Sequence, residues 1–177
     1  MFATIYLPNF YLQAALRHQP GLCEKLVALI EEQEKKPVII QLNEAAEKAG
    51  ICKGMTPSQA LARSLQVVIK VRARTQEKSI QEILLHHAFT LSPFVEATAP
   101  GICTVQFTDH RHLLGKVKRV IQQLEKCEIR AQAGITATPD TSFLAAHLAR
   151  PVLHIEDVKE FLAALPIETL GTFSPVF

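Results

Sequence analysis

The order of apolar segments in residues 2–7 and 75–136 is the feature that most constrains the fold. Residues 2–7 are a short, β-prone apolar run closed by Pro8-Asn9, the pattern of a buried strand ending in a turn. Residues 75–91 carry Ile80, Ile83, Leu84, Ala88 and Leu91 at helical spacing, and Pro93 ends that helix. Two strands, at about 94–98 and 102–107, flank the turn-forming Ala99-Pro100-Gly101. Leu113, Leu114, Val117, Val120, Ile121 and Leu124 form the clearest amphipathic helix, and 129–136 is extended again. Strand, helix, strand, strand, helix, strand is the split β-α-β-β-α-β order, which closes as a four-stranded sheet with two helices on one face. The fold class is therefore α+β and ferredoxin-like. A helix over 140–149, the strand Val152 to Ile155 and a helix over Val158 to Ala164 extend the sheet domain.

Residues 9–74 read as a small domain inserted between the first strand and the first long helix. Phe10 to Leu16 is a helix, and Leu22, Leu26, Leu29 and Ile30 recur at helical spacing. That predicts a second helix with Glu31 to Lys36 as its solvated tail, ended by Pro37. Val38 to Ile40 is a strand. Asn43 stands where a cap belongs before the helix Glu44 to Ala49, which Gly50 stops. Thr56 caps a helix running to Leu65 with Pro57 in its first turn, and Val67 to Val71 is a further strand.

With 48% apolar residues in 177, the chain can bury a sizeable core. Nineteen basic residues against 17 acidic leave a net charge of +2, which allows nucleic-acid contact without demanding it, so a basic stripe must be local. Cys23, Cys52, Cys103 and Cys127 lie too far apart for a zinc motif and read as reduced, mostly core thiols of a cytoplasmic protein. The first residues lack the pattern of a signal peptide, and no apolar run approaches the ~20 residues of a membrane span. Association with a membrane is not expected.

Several landmarks then fall in a familiar order. Met1 to Leu16, Pro37 to Ile40, Glu44 to Met55, Ser92 to Glu96, Ile129 to Thr136 and Leu162 to Pro166 resemble, in order and approximate spacing, the palm and fingers of Y-family translesion polymerases. The phrase Gly134-Ile135-Thr136-Ala137-Thr138-Pro139 looks more like the ImuB branch than like members that polymerise. The resemblance implies a palm of residues 1–8 and 75–166, fingers of 9–74, and the start of a truncated thumb at 167–177. It also implies an adaptor in damage-induced mutagenesis that binds primed or single-stranded DNA weakly and links a DnaE-type error-prone polymerase to the sliding clamp.

Active members of that family hold two Mg²⁺ ions on carboxylates at the first palm strand and at the turn between the central strands, because phosphoryl transfer needs charge neutralised at that spacing. The resemblance lays Tyr6 and Pro8 on the first two positions, and Gly101 and Ile102 on the others. None is a carboxylate. Glu96 precedes the turn by about five residues and Asp109 lies past the following strand, so neither replaces them. Glu44 and Glu47 fall where a Tyr and an Arg would reach the triphosphate, and Pro139 or Asp140 replaces a Lys. The resemblance therefore implies no metal, no cofactor and no catalysis. An active, divergent polymerase and an interaction module without a DNA role are the two rival readings.

Lys70, Arg72 and Arg74 alternate with Val71 and Ala73, which in an extended segment sets three cations on one side. Lys116, Lys118 and Arg119 lie on the polar side of the amphipathic helix. Both clusters are DNA-binding candidates beside their reading as solvated faces. His86-His87 and Asp109-His110-Arg111-His112 form no metal motif, since adjacent helical side chains diverge by about 100°; they read as exposed or capping histidines. Ser142 and His147 lack the nucleophile elbow of a hydrolase, and no Gly-rich phosphate loop is present.

Overall fold

The computed structural model describes residues 1–22, 24–31 and 36–166. Its strands are β1 (Phe2–Tyr6), β2 (Val27–Ile30), β3 (Ile39–Leu42), β4 (Val68–Val71), β5 (Val95–Ala99), β6 (Ile102–Gln106), β7 (Gln132–Thr136) and β8 (Val152–His154). Its helices are α1 (Phe10–Leu16), α2 (Glu44–Lys48), α3 (Pro57–Arg63), α4 (Arg74–Phe89), α5 (Leu113–Lys126), α6 (Pro139–Leu148) and α7 (Val158–Ala163). Two compact units result, one of residues 1–8 and 82–177, the other of 9–81.

The first unit is built on a five-stranded sheet in the order β5-β6-β1-β7-β8. Its first four strands are antiparallel neighbours with β1 paired to both β6 and β7, and β8 adds parallel to β7. This is the mixed α+β arrangement expected from the segment order. Along β1 and its neighbours, Ala3, Ile5, Cys103, Val105, Ala133 and Ile135 are wholly buried on one face. The buried stripe Leu113, Val117, Val120, Ile121 and Leu124 of α5 belongs to the same core, and α5 touches β7 and β8. A hydrogen bond between His87 and Gln123 ties α4 to α5. The opposite sheet face carries Phe2, Thr4 and Tyr6, and α6 lies across its β1 and β7 portion.

The second unit is a three-stranded sheet, β3-β2-β4, with β2 antiparallel to β3 and parallel to β4. Here the expectation of a helix through Leu22 to Ile30 is overturned. Val27–Ile30 is the central strand, because both of its faces are covered: Val27 and Leu29 pack with Leu12 and Ala15 of α1, while Ala28 packs with Ala46 and Ala60 of α2 and α3. A strand buried on both faces is a continuous apolar run, and such a run satisfies a helical template by coincidence. Residues 32–35 of the expected charged tail lie outside the described residues.

The caps of this unit follow the sequence closely. Asn43 Oδ1 accepts from the Ala46 N–H and the Val27 N–H, so one side chain caps α2 and anchors β2. Thr56 and Gln59 form a reciprocal capping box at α3. That helix stops at Arg63, short of Leu65, which is left 88% exposed. The thiols depart from expectation: of the three described cysteines only Cys103 is buried, Cys127 is partly covered and Cys52 is exposed. Cys52 follows the short helix α2 and its Gly50 stop, in a segment between α2 and α3.

Candidate functional site

Three of the four residues placed by resemblance at metal positions meet at one end of the central strands. Tyr6 stands opposite Ile102 in the β1–β6 ladder, and the Leu7 N–H donates to the Gly101 carbonyl at 2.8 Å. Gly101, at φ 74°, supplies the left-handed backbone that turns β5 into β6. Pro8 follows at the end of the same unit's first segment. The donor set at this corner is one phenol, one backbone carbonyl already accepting a hydrogen bond, and an aliphatic side chain that is 8% exposed.

An aromatic stack fills the rest of the corner. The Tyr6 ring lies on the imidazole of His147 from α6, with centroids 4.0 Å apart and planes 24° from parallel. Phe143, one turn earlier, packs on the same imidazole at 4.5 Å. His147 Nδ1 is 2.9 Å from the Phe143 carbonyl oxygen, so Nδ1–H donates to it. Burial pushes the Tyr6 phenol above its ordinary value, and burial pushes His147 down, partly opposed by that hydrogen bond.

Gly134 lets α6 come this close. A Cβ at this position would fall on the backbone of Ala146 and Ser142 and within 2.6 Å of the Ala145 carbonyl carbon. Thr4, opposite Gly134 in the ladder, shares a 2.7 Å hydrogen bond with Ser142, whose hydroxyl also donates to the Pro139 carbonyl. The hydroxyl row continues across the sheet from Thr4 to Thr104 at 3.2 Å and from Thr104 to Thr98 at 2.9 Å. Ser142 and His147, which carry no hydrolase pattern in the sequence, are thus the anchors of α6. Sequence reading missed the stack itself; the available signal was the i, i+4 spacing of Phe143 and His147, which puts both rings on one helix face.

The remaining carboxylates are elsewhere. Glu96 is exposed on β5 opposite Thr104, and Asp109 accepts from the Arg111 N–H in its own loop. Glu44 pairs with Lys48 on the surface at 2.6 Å, and Glu44 and Glu47 both occupy the first turn of α2, where the helix dipole favours acids. Pro139 and Asp140 open α6. His86 and His87 sit edge to face at 5.6 Å; His87 is partly buried and bonded to Gln123 rather than exposed or capping, and burial with the neighbouring His86 lowers its pKa. His112 occupies the position before α5 in left-handed backbone, and its side chain makes no cap. Among the described residues no three His, Cys, Asp or Glu side chains converge in a way that could hold a metal ion.

The first cation cluster is not the row that alternation predicts. The chain leaves the strand at Val71 and enters α4 at Arg74, which redirects the three side chains. Arg72 turns inward, donating to Glu77 at 2.6 Å and 2.9 Å and to Glu31 at 2.7 Å, with its guanidinium 3.8 Å from the centre of the Tyr11 ring. Its side chain is only 13% exposed, so it is not presented to a phosphate. Arg74 also holds Glu31, and Lys70 donates to Gln19. Lys116, Lys118 and Arg119 are exposed along α5.

Residues 5–146 match the impB/mucB/samB family. DNA polymerase IV of Ralstonia nicotianae is 26% identical over 172 residues, covering 91% of this chain and 48% of that protein. DNA polymerase IV of Pseudomonas syringae pv. tomato is 23% identical over a similar span. The chain spans about half the length of the curated relatives it matches. Among solved structures, an insertion ternary complex of Dbh DNA polymerase superposes with a TM-score of 0.83 at 15% identity, covering 95% of this chain and 53% of that one. DinB from Sulfolobus solfataricus gives 0.83 at 15% identity, covering 95% of this chain and 52% of its own. No described helix is long and apolar enough to cross a membrane. The chain belongs to the impB/mucB/samB family, within the Y-family DNA polymerase superfamily, and corresponds to its palm and fingers region.

Proposed function

We propose that this chain is the palm and fingers portion of an ImuB-like protein, a Y-family relative that does not polymerise and serves as an adaptor in damage-induced mutagenesis. In this reading residues 1–8 and 75–166 form the palm and 9–74 the fingers; residues 167–177, expected from the sequence to begin a thumb, lie outside the described residues. The protein contacts DNA weakly through Lys116, Lys118 and Arg119 and joins a DnaE-type polymerase to the sliding clamp.

The observation that carries the reading is the corner at Tyr6, Gly101 and Ile102. Two divalent cations poised for phosphoryl transfer need anionic oxygen ligands. The residues there do not fit them: burial favours the protonated phenol of Tyr6, the Gly101 carbonyl is engaged by Leu7, and Ile102 has no donor. Primer extension on damaged and undamaged templates, with Mg²⁺ or Mn²⁺, is expected to give no incorporation.

A second reading rests on the names of the relatives from Ralstonia nicotianae and Pseudomonas syringae pv. tomato, both DNA polymerase IV. An active, divergent enzyme would incorporate nucleotides in the same assay, and loss of incorporation in Glu96→Ala would establish that reading and overturn the adaptor.

A further inference from the structure

The sheet face that carries Tyr6 is only partly covered. Helix α6 lies over β1 and β7, and the strip toward the β5 edge is left as an open groove of about 290 Å³ lined by Phe2, Phe94, Val95, Glu96, Thr104, Gln106 and Pro139. The ladder explains this composition. Phe94, Gln106 and Phe2 follow one another across neighbouring strands, with the Gln106 N–H donating to the Phe94 carbonyl at 2.9 Å and Phe2 opposite Gln106. Glu96 and Thr104 form the next rung. Pro139, the first residue of α6, closes one side.

The geometry points to this groove as a docking site for a basic, apolar peptide segment of a protein partner. Phe94 is 55% exposed although it stands against the sheet, and an aromatic side chain left half in water beside Phe2 and Pro139 gains most from an apolar side chain laid on it. Glu96 is exposed and has no ion-pair partner among the described residues. Asp140, next to Pro139, is exposed as well. Glu96 is the one charged residue that lines the groove, with Asp140 next in sequence to the lining Pro139, and the Glu96 carboxylate selects Lys or Arg beside the apolar anchor and opposes a phosphate backbone. The groove is open, unlike the concave clefts that bury most of a small ligand's surface. Strand addition to the β5 edge is disfavoured, because the ladder is irregular between Glu96 and Ala99, and an irregular edge blunts pairing. The occupant lies on the face.

This goes beyond the adaptor reading, and its outcome is independent of primer extension. Random-peptide phage display on the full chain, followed by fluorescence anisotropy with the selected peptides, tests it. Selected peptides are expected to pair an aromatic or long aliphatic residue with an adjacent Lys or Arg. Phe94→Ala and Glu96→Lys are each expected to weaken them about tenfold or more, while Tyr6→Phe leaves them unchanged. If Phe94→Ala does not fold, Glu96→Lys, at an exposed position, carries the decision. Absence of enriched peptides, acidic consensus sequences, undiminished binding to Glu96→Lys, or displacement of the peptide by a single-stranded oligonucleotide would overturn it.

Discussion

Tyr6 and His147 stack at 4.0 Å in the corner where β1 meets β6, and the imidazole is buried there. Burial disfavours the charged ring, so its pKa lies below the ordinary 6.5 in the folded chain. A group with a depressed native pKa leaves the unfolded state holding more protons as pH falls, so its stabilising contribution is complete above about pH 6.5 and is lost as pH drops toward the native value. Thermal melts from pH 8 to 5 are expected to show a falling Tm. His87 acts with the same sign, so His147→Phe, which keeps a stacked ring, isolates the term: part of the pH dependence should disappear. An unchanged profile in that variant would remove His147 from the explanation.

Gly134 is packed directly against the backbone of α6. Alanine there would drive its methyl group into the α6 backbone at Ser142, Ala145 and Ala146, and backbone cannot rotate aside as a side chain can. The cost is expected to be about 3 kcal/mol or more, at the upper end of overpacking penalties. Urea unfolding of Gly134→Ala measures it. Because α6 carries His147, the same variant should also loosen the Tyr6 stack, visible as a His147 pKa that returns toward its ordinary value.

Arg72 is the hub of the second unit's ion pairs. Removing it strands Glu77, whose side chain is 9% exposed, leaves Glu31 to Arg74 alone, and uncovers Tyr11. Breaking a partly buried pair from one side leaves an uncompensated charge, and Arg72→Ala is expected to cost about 2–3 kcal/mol. Arg72→Lys keeps the charge but loses the two-pronged geometry on Glu77, so it should recover only part of that. Chemical denaturation of both variants checks the order. A stable Arg72→Ala protein with weakened DNA binding would reverse the assignment.

How much of this was legible in the sequence depended on how many neighbours each element has. The β1 to β7 order of the first unit is written in local signals: α5 buries one stripe at helical spacing, and although β1, β6 and β7 are buried on both faces, the apolar runs are short and bounded by Pro8, Pro93 and Ala99-Pro100-Gly101. β2 was misread because its faces are both covered, by α1 and by α2 with α3, which erases alternation. Asn43, Thr56 and Gly50 were readable because caps and stops act over three or four residues. Arg72 and His147 were not, since their partners Glu31 and Tyr6 lie 41 and 141 positions away in sequence and only the tertiary fold brings them together.

Lys116, Lys118 and Arg119 are the cations that the fold leaves open on α5; they make none of the described ion pairs. If they meet phosphates, each neutralised phosphate releases counterions, and the logarithm of affinity falls with the logarithm of salt by roughly 0.7 to 0.9 per contact. The triple substitution to Ala is expected to weaken binding of primed and single-stranded DNA about equally and to flatten the salt slope by about 2. Folding should be untouched, because exposed positions on a polar helix face seldom contribute more than about 0.5 kcal/mol. Filter binding or anisotropy at several salt concentrations, run beside a melt, reads all three quantities. An unaltered slope in a folded triple variant would assign the row to solvation alone.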